Sequence, residues 1–243
     1  MSATSDPFLA LTSLEGVPSA YAAARDGIDA LLRDRGLRRT TPEDTARSLL
    51  VGAAATVTLE GEPIGPDELA AGSGSATARA ALRLSSELLG LVPVWNRAPI
   101  QAIARIHALA AGGSVADDQL GRPVSAEATA RLSQASAQLA APTAAPGLVV
   151  AAVAHAEIAT AAAFSSHNAV VARAVERLLL VVRGVDPASV TVPEAGHAAE
   201  PAGYASALAA YDRGDAGGVH QWLSYAAMAF ARGAEASPLG ASR

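Results

Sequence analysis

The 243-residue sequence contains no cysteine and no lysine. Without cysteine the chain can form neither disulfide bonds nor thiolate metal sites. Without lysine it cannot be a Schiff-base enzyme or a P-loop nucleotide hydrolase, because both depend on a lysine amine. All 18 basic residues are therefore arginine, and the 23 acidic residues outnumber them to give a net charge of −5. This balance argues against a general nucleic-acid-binding protein, which usually has a basic face.

Segments with the alternating pattern of a β-strand are also nearly absent. Apolar residues recur instead at helical spacing along most of the chain. Hydrophobic residues make up 51% of the composition and charged residues 17%, which provides enough apolar material for a folded core. We therefore predict an all-α protein.

Long apolar runs of the kind that cross a membrane are missing as well. The most apolar stretch, 148–164, is interrupted by His155 and Glu157, and it is shorter than the roughly 20 apolar residues that a membrane span needs. The first residues, MSATSDPFLALTSLEG, lack the basic start and apolar run of a secretory signal. We expect a soluble, cytoplasmic protein that binds neither membranes nor nucleic acid.

Glycine, serine and proline divide the helical segments into three parts. The stretch GSGS at 72–75 is the best candidate for a joint, which predicts an N-terminal helical extension over 1–75 and a helical core over 76–233. The last residues, 234–243, are expected to form a flexible tail. Within the core, the polar segment 112–123 is the longest irregular stretch, and we expect it to form a small hairpin or flap.

One segment of the core has the pattern of a binding site. The sequence HAEIATAAAFSSHNAVVARAVERLLLVVRG at 155–184 predicts two helices joined by the short polar loop 164–168. A polar loop that leads into the N-terminus of a buried helix is a frequent place for an anion, because the first backbone N–H groups of the helix point at it. This loop, however, contains no carboxylate, no lysine and no glycine.

The same loop resembles the signature of the Fic family, H-P-F-x-D/E-G-N-G-R-x-x-R. Aligned with it, the window AAFSSHNAVVAR at 162–173 matches at Phe164, Asn168 and Arg173. His155 resembles a histidine that often precedes the signature by seven residues. Fic proteins transfer AMP, or occasionally another phosphate-containing group, to a protein hydroxyl.

The resemblance extends over roughly residues 80–232. It implies a Fic-like helical bundle, here with an N-terminal helical extension. Downstream of the signature, RAVERLLLVVRGVDPASVTVPE is similar to the family's continuing helix and turn. The matches in the C-terminal part are Tyr204, Leu208, Tyr211, Gly214, Trp222 and Leu223.

The departures from the signature remove its chemistry. The resemblance places the family's catalytic histidine at Ala162, its metal-binding acid at Ser166 and its first phosphate-binding arginine at Val170. A positioned general base is worth ~10²–10⁴-fold in rate, and electrostatic stabilisation by the metal and the arginine is usually the larger contribution. We therefore expect no catalytic residue, no metal ion and no cofactor.

The loop also lacks the two glycines of the signature, whose positions hold His167 and Ala169. Glycine takes positive φ angles freely, whereas another residue there costs roughly 1–2 kcal/mol, although histidine and asparagine tolerate it better than most. We expect the loop to keep its shape at His167 while crowding the space of a phosphate. What remains is predicted to be a weak anion-binding site. Its residues are Phe164, Ser166, His167, Asn168 and Arg173.

A second motif, upstream of the core, points to the same site. In many Fic proteins a helix with the pattern S/T-x-x-x-E-G/N places its glutamate on the second arginine of the signature, which is Arg173 here. This chain has one match, TVTLEG at 56–61. A buried arginine needs a carboxylate partner in any case, and Glu176 or Glu157 could supply it instead. The pattern residues, for which the resemblance implies a regulatory role, are Thr56, Glu60 and Gly61.

The histidines are predicted to be structural. His155 is expected to bond a neighbouring backbone carbonyl, and His107 and His197 are expected to be structural or exposed. His167 is the one histidine of the loop 164–168, and the loop contains no aspartate. A metal site at the loop is therefore not expected.

The leading interpretation is a catalytically inactive Fic-like protein that acts as a binding or regulatory module for an unknown protein partner. The alternative is an enzyme, either a divergent nucleotidyl (AMP) transferase or one that uses the same cleft for another reaction. A third interpretation is a scaffold that self-associates into a homo-oligomer. Binding of ATP with magnesium, and labelling of a protein by ATP, would distinguish the enzyme from the others.

Overall fold

The computed structural model describes residues 6–35 and 40–239. These residues contain no β-strand, and a single bridge between Gly112 and Val115 is the nearest approach to one. The prediction of an all-α protein is therefore confirmed. None of the helices in the described ranges is both long and apolar enough to cross a membrane. The α-helices in these ranges are α1 (Pro7–Leu11), α2 (Val17–Arg35), α3 (Pro42–Leu59), α4 (Pro66–Ala70), α5 (Ala76–Glu87), α6 (Val92–Trp95), α7 (Pro99–Ala111), α8 (Ala126–Ala140), α9 (Gly147–Ala161), α10 (Asn168–Val182), α11 (Pro193–Ala198), α12 (Pro201–Asp212) and α13 (Ala216–Glu235).

Several of the longer helices begin at residues that satisfy their first backbone N–H groups. Thr41 and Asp44 form a capping box at the start of α3, in which each side chain accepts a hydrogen bond from the other residue's N–H. Ser75 and Asp215 accept N–H groups at the starts of α5 and α13.

Helices α9 and α10 pack against each other and are joined by the loop 162–167. α9 is apolar on every face and almost entirely buried, as expected for a helix that others surround. Its Ala152 carbonyl accepts a hydrogen bond from Trp222 Nε1 of α13 at 2.8 Å. In α10, Leu178 and Leu179 are fully buried. The elements on both sides of the loop are thus fixed in the core.

The N-terminal helices pack directly on this core. α2 contacts α13, α1 contacts α9, and α3 contacts both α5 and α11. Phe8, Tyr21 and Ile28 belong to the same hydrophobic cluster as the buried residues of α9 and α10. Helices α1 and α2 therefore share one core with residues 76–233, whereas buried residues of α3 and α4 form a second cluster with Ala78 and Ala81 of α5.

Helices α11 and α13 approach so closely that one position between them requires glycine. A Cβ atom at Gly196 would lie 1.9 Å from the carbonyl oxygen of Ala229. Because no side chain fits there, glycine lets the two backbones come into contact. Glu194 and His197, on the same short helix, are buried as a result of this packing.

The tail predicted over 234–243 begins within the last helix of the structure, and its flexibility stays a prediction. α13 continues to Glu235, and Ala234 and Leu239 are buried. Gly233 lies inside α13 against the backbone of Val192, whose N–H donates to the Gly233 carbonyl at 2.8 Å. Residues 240–243 lie outside the described residues.

The segment 112–123 does not form the predicted hairpin. It contains a short 3₁₀ turn. Two backbone N–H groups that follow this turn hold the segment in place. Gly121 N–H donates to His107 Nδ1 at 2.9 Å, and Val124 N–H, just beyond the segment, donates to the Ala163 carbonyl at 2.9 Å. The segment therefore lies beside the loop that joins α9 and α10.

Candidate functional site

The loop between α9 and α10 is closed by one asparagine side chain. Asn168 Oδ1 accepts a hydrogen bond from the Phe164 N–H at 2.9 Å, and Asn168 Nδ2 donates to the Phe164 carbonyl at 2.8 Å. The amide thereby bonds both backbone groups of Phe164 and fixes the width of the loop. This contact gives a structural reason for Asn168, one of the three residues that match the Fic signature.

Two residues of the loop have positive φ angles. α9 ends at Ala162, with φ of 45°, and α10 begins after His167, with φ of 59°. These values favour glycine, so the surrounding contacts must hold the two residues in this conformation. His167 Nδ1 lies 2.7 Å from Ser166 Oγ, and burial lowers the pKa of His167. At His167 the loop thus keeps the backbone conformation expected of the signature's glycine.

Phe164 anchors the loop in the core. Its ring is buried and lies parallel to the imidazole of His107, with 4.1 Å between the ring centroids and 7° between the planes. Burial lowers the pKa of His107, and its Nδ1 accepts the backbone N–H of Gly121. His107 is therefore a buried structural residue that connects the loop to the segment 112–123.

The first turn of α10 offers backbone N–H groups but no charge. The N–H groups of Asn168, Ala169 and Val170 have no acceptor among the described residues. The Val170 side chain, at the position of the signature's first arginine, is 3% exposed and packs into the core. A helix N-terminus alone contributes about 0.3–1 kcal/mol to the binding of an exposed anion. The helix end can therefore hold an anion only weakly.

The positions of the signature's general base and metal ligand carry no equivalent group. Ala162 is exposed at the end of α9, and its methyl group cannot accept a proton. Ser166 contacts His167 through its hydroxyl, which has no negative charge to attract a magnesium ion. The geometry of the loop is thus present while its reactive side chains are not.

The second motif lies at the C-terminal end of α3. Gly61 has φ of 91°, and its N–H donates to the Thr58 carbonyl at 3.0 Å. The N–H of Glu62 donates to the Val57 carbonyl at 3.2 Å. These two bonds form a Schellman motif, which ends the helix and requires the left-handed conformation of Gly61. The glycine of the pattern therefore fixes the direction in which Glu60 leaves the helix.

Glu60 forms an ion pair with Arg173, 113 positions later in the sequence. Its Oε1 lies 2.5 Å from Arg173 Nη2. The Arg173 side chain is 1% exposed and the Glu60 side chain 30%, so the glutamate covers the arginine from the solvent side. Thr56 is buried one turn earlier in α3, and its carbonyl accepts the Glu60 N–H at 3.1 Å. The structure therefore brings the two motifs together, while a regulatory role for the contact stays a prediction.

The other carboxylates considered as partners of Arg173 bind elsewhere. Glu157 accepts a hydrogen bond from Tyr211 Oη at 2.6 Å. Glu176 lies between His155 and His197 in the core. Burial alone would raise the pKa of Glu176, but the two imidazoles outweigh it and lower the pKa to about 2. Glu176 is therefore ionised at neutral pH although it is fully buried.

His155 does not bond a backbone carbonyl, contrary to the prediction. Its Nε2 lies 2.8 Å from Tyr204 Oη, which in turn accepts a hydrogen bond from Arg173 Nη1 at 3.4 Å. Its Nδ1 faces Glu176, and His197 lies on the other side of that carboxylate and is buried. These side chains come from α9, α10, α11 and α12, and their sequence spacing gives no sign that they meet.

Solved structures with the same fold are Fic proteins. A Fic family protein from Desulfovibrio desulfuricans G20 has a TM-score of 0.74 and 15% identity, over 89% of this chain and 73% of that chain. A fragment of Fic-1 from C. elegans has a TM-score of 0.70 and 15% identity, over 90% of this chain and 70% of that chain. No protein-family model matches the sequence, and no curated protein matches it. Identities this low establish the fold alone, and on that basis the chain contains a Fic-like helical domain, as the resemblance of the loop predicts.

Proposed function

We propose that this protein is a catalytically inactive Fic-like protein that acts as a binding or regulatory module. One observation carries the proposal. The fold keeps the loop, its closing asparagine and the buried Arg173, whereas the three positions of the signature that supply chemistry hold Ala162, Ser166 and Val170. A loop that keeps its structure without its reactive side chains supports a role in binding.

Each of these three residues removes a different contribution to phosphoryl transfer. Ala162 cannot take the proton of an attacking hydroxyl, a task typically worth ~10²–10⁴-fold in rate. Ser166 provides no carboxylate for a magnesium ion, and the buried Val170 provides no cation for the phosphates. Because three different positions supply these groups, a neighbouring group that replaced one of them would leave the other two missing.

We expect no transfer of AMP from labelled ATP to this protein or to the proteins of a cell extract. The measurement is autoradiography after incubation with magnesium and ATP labelled at the α-phosphate, with an active Fic protein as the positive control. Glu60→Ala is tested beside the parent, because it would release an enzyme that is only blocked by its glutamate. Labelling by either chain that is lost in Arg173→Ala would overturn the proposal in favour of a divergent nucleotidyl transferase.

The ion pair of Glu60 with Arg173 makes a separate prediction about binding. Because the glutamate already occupies the Arg173 guanidinium, we expect the parent to bind pyrophosphate with a dissociation constant on the order of 1 mM or weaker. Glu60→Gln keeps the size of the side chain but frees the guanidinium charge. We expect it to bind pyrophosphate roughly tenfold more tightly in calorimetric titration.

Glu62→Gln is the matched control for this titration. Glu62 lies two positions from Glu60 but accepts a hydrogen bond from the N–H of Ser75 at the start of α5, so its neutralisation should leave pyrophosphate binding unchanged. Equal gains in both variants would indicate a general charge effect and count against an anion site at Arg173. Micromolar, magnesium-dependent binding of ATP by the parent would restore the enzyme interpretation.

The proposed partner is a protein that has yet to be identified. The net charge of −5 and the absence of lysine favour a protein over nucleic acid, because the latter needs a basic surface. Self-association is the alternative for a protein without catalysis, and sedimentation equilibrium of the full chain separates the two.

A further inference from the structure

Three buried side chains from different helices meet in the core. His155 belongs to α9, Glu176 to α10 and His197 to α11, and each is at most 1% exposed. One ligand atom of each residue lies within 4.8 Å of the other two. Two imidazoles and one carboxylate also form the protein ligands of well-known zinc sites. The cluster is separate from the signature's metal position, which is Ser166 in this chain.

Hydrogen bonding accounts for only part of this cluster. His197 Nε2 lies 2.9 Å from Glu176 Oε2 in hydrogen-bond geometry. His155 Nδ1 lies 3.1 Å from the same oxygen, but its direction does not suit a hydrogen bond, and this nitrogen has no other partner in the described part of the chain. Glu176 Oε1 has no hydrogen-bond partner there either. Buried polar atoms nearly always have partners in folded proteins, so these two call for an explanation.

A third unpartnered atom comes from α2. Tyr21 Oη is buried and has no hydrogen-bond partner among the residues that the structure describes. Burial raises the pKa of Tyr21, and the charge of Glu176 raises it further, so the phenol lies within electrostatic range of that carboxylate. The unpartnered polar atoms thus come from three helices of one core, α2, α9 and α10.

We propose that His155 Nδ1, His197 Nε2 and a carboxylate oxygen of Glu176 bind a divalent transition-metal ion of the zinc type. With metal–ligand bonds of about 2.0–2.2 Å, ligand atoms in a tetrahedral site lie roughly 3.2–3.5 Å apart. The observed separations of 2.9 Å and 3.1 Å between the carboxylate oxygen and the two nitrogens are close to these values. His155 Nδ1 and Glu176 Oε2 are close together but poorly directed for a hydrogen bond. This arrangement suits two ligands of one metal ion better than a hydrogen-bond donor and its acceptor.

The hydrogen-bond partners of the other nitrogen of each imidazole support the same assignment. His155 Nε2 lies 2.8 Å from Tyr204 Oη, and His197 Nδ1 lies 3.2 Å from Tyr225 Oη. When the metal binds the other nitrogen of each ring, these nitrogens carry the protons and donate to the tyrosine oxygens. Hydrogen bonds of this kind fix the tautomer and orientation of histidine ligands.

The burial of the cluster defines what the ion does. Because His155, Glu176 and His197 are closed off from solvent, the ion is structural: it joins α9, α10 and α11 and binds as the chain folds. Imidazole ligands favour zinc, cobalt and nickel, whereas magnesium and calcium prefer sites made of oxygen atoms. The expected effect of the ion is therefore on stability.

The test uses the full chain, purified through a tag that does not bind metals and refolded from urea with zinc, with magnesium or with a chelator. We expect about one zinc ion per chain by elemental analysis after dialysis. Zinc should raise the melting temperature by about 5 °C or more at a hundredfold excess over the dissociation constant, and magnesium should not. Refolding with cobalt should give the visible absorption bands of a tetrahedral site.

Glu176→Gln and His155→Asn are expected to lose the cobalt bands and most of the zinc, and His220→Asn serves as the matched control. His220 lies on α13 and contacts the Glu15 carbonyl, away from the cluster, so this variant should keep the ion. The measurement on the parent decides the matter even if a variant fails to fold. A folded parent with less than about a tenth of an equivalent of zinc and no shift in melting temperature would overturn the proposal. Metal retained by a folded Glu176→Gln variant would overturn it as well, because the ion would then lie elsewhere.

Discussion

Replacement of Arg177 by methionine is expected to lower the free energy of unfolding by about 3–5 kcal/mol. Arg177 of α10 is buried and binds both carboxylate oxygens of Glu194 of α11, with each distance 2.8 Å. Its Nη1 also donates to Ser48 of α3 and to Ser189. Removal of the guanidinium leaves the Glu194 carboxylate buried without its charged partner, and that penalty exceeds what the intact ion pair contributes.

Urea unfolding followed by circular dichroism measures this loss. Glu194→Gln alone leaves the guanidinium unpaired, and the double variant removes both charges, so its loss should be smaller than the sum of the single losses. Arg25→Met is the surface control, because the Arg25 side chain is 42% exposed in its ion pair with Asp29. The control should change the stability by less than about 1 kcal/mol. Equal losses for Arg177→Met and Arg25→Met would contradict the prediction.

The longer helices could be predicted because their signals are local. Helices α7 and α12 begin with a proline at the first helical position, which is a local signal for a helix start. The shortest helices, α1, α4, α6 and α11, contain 5, 5, 4 and 6 residues. A segment of less than two turns shows no complete helical period, so its apolar residues do not distinguish a helix from a loop.

The contact between Glu60 and Arg173 could also be predicted from the sequence, but for a different reason. The two residues lie 113 positions apart, and only the resemblance of two motifs to one family connects them. No such resemblance marks the pair of Arg177 and Glu194. Which polar residues of α9, α10 and α11 face inward depends on how these helices pack with their neighbours, and Gly196 shows how closely α11 packs on α13. The buried polar clusters are therefore properties of the packed fold and not of any segment.

Truncation of Leu179 to alanine is expected to lower the free energy of unfolding by about 2–5 kcal/mol. Leu179 is fully buried in α10, the helix that follows the loop and carries Arg173, Glu176 and Arg177. The loss combines the transfer of the removed methyl groups with a cavity, which neighbouring helices cannot close because α10 is packed against α9 and α7.

Leu9→Ala is the matched truncation for this experiment. Leu9 lies on α1 and is 44% exposed, so the same chemical change should alter the free energy of unfolding by no more than about 0.5 kcal/mol. Urea unfolding of both variants should therefore show a lower midpoint for Leu179→Ala, with an unchanged slope, and nearly the parental midpoint for Leu9→Ala. Similar midpoints in the two variants would show that α10 does not lie at the centre of the core. That result would also contradict the burial of the charged residues on α10.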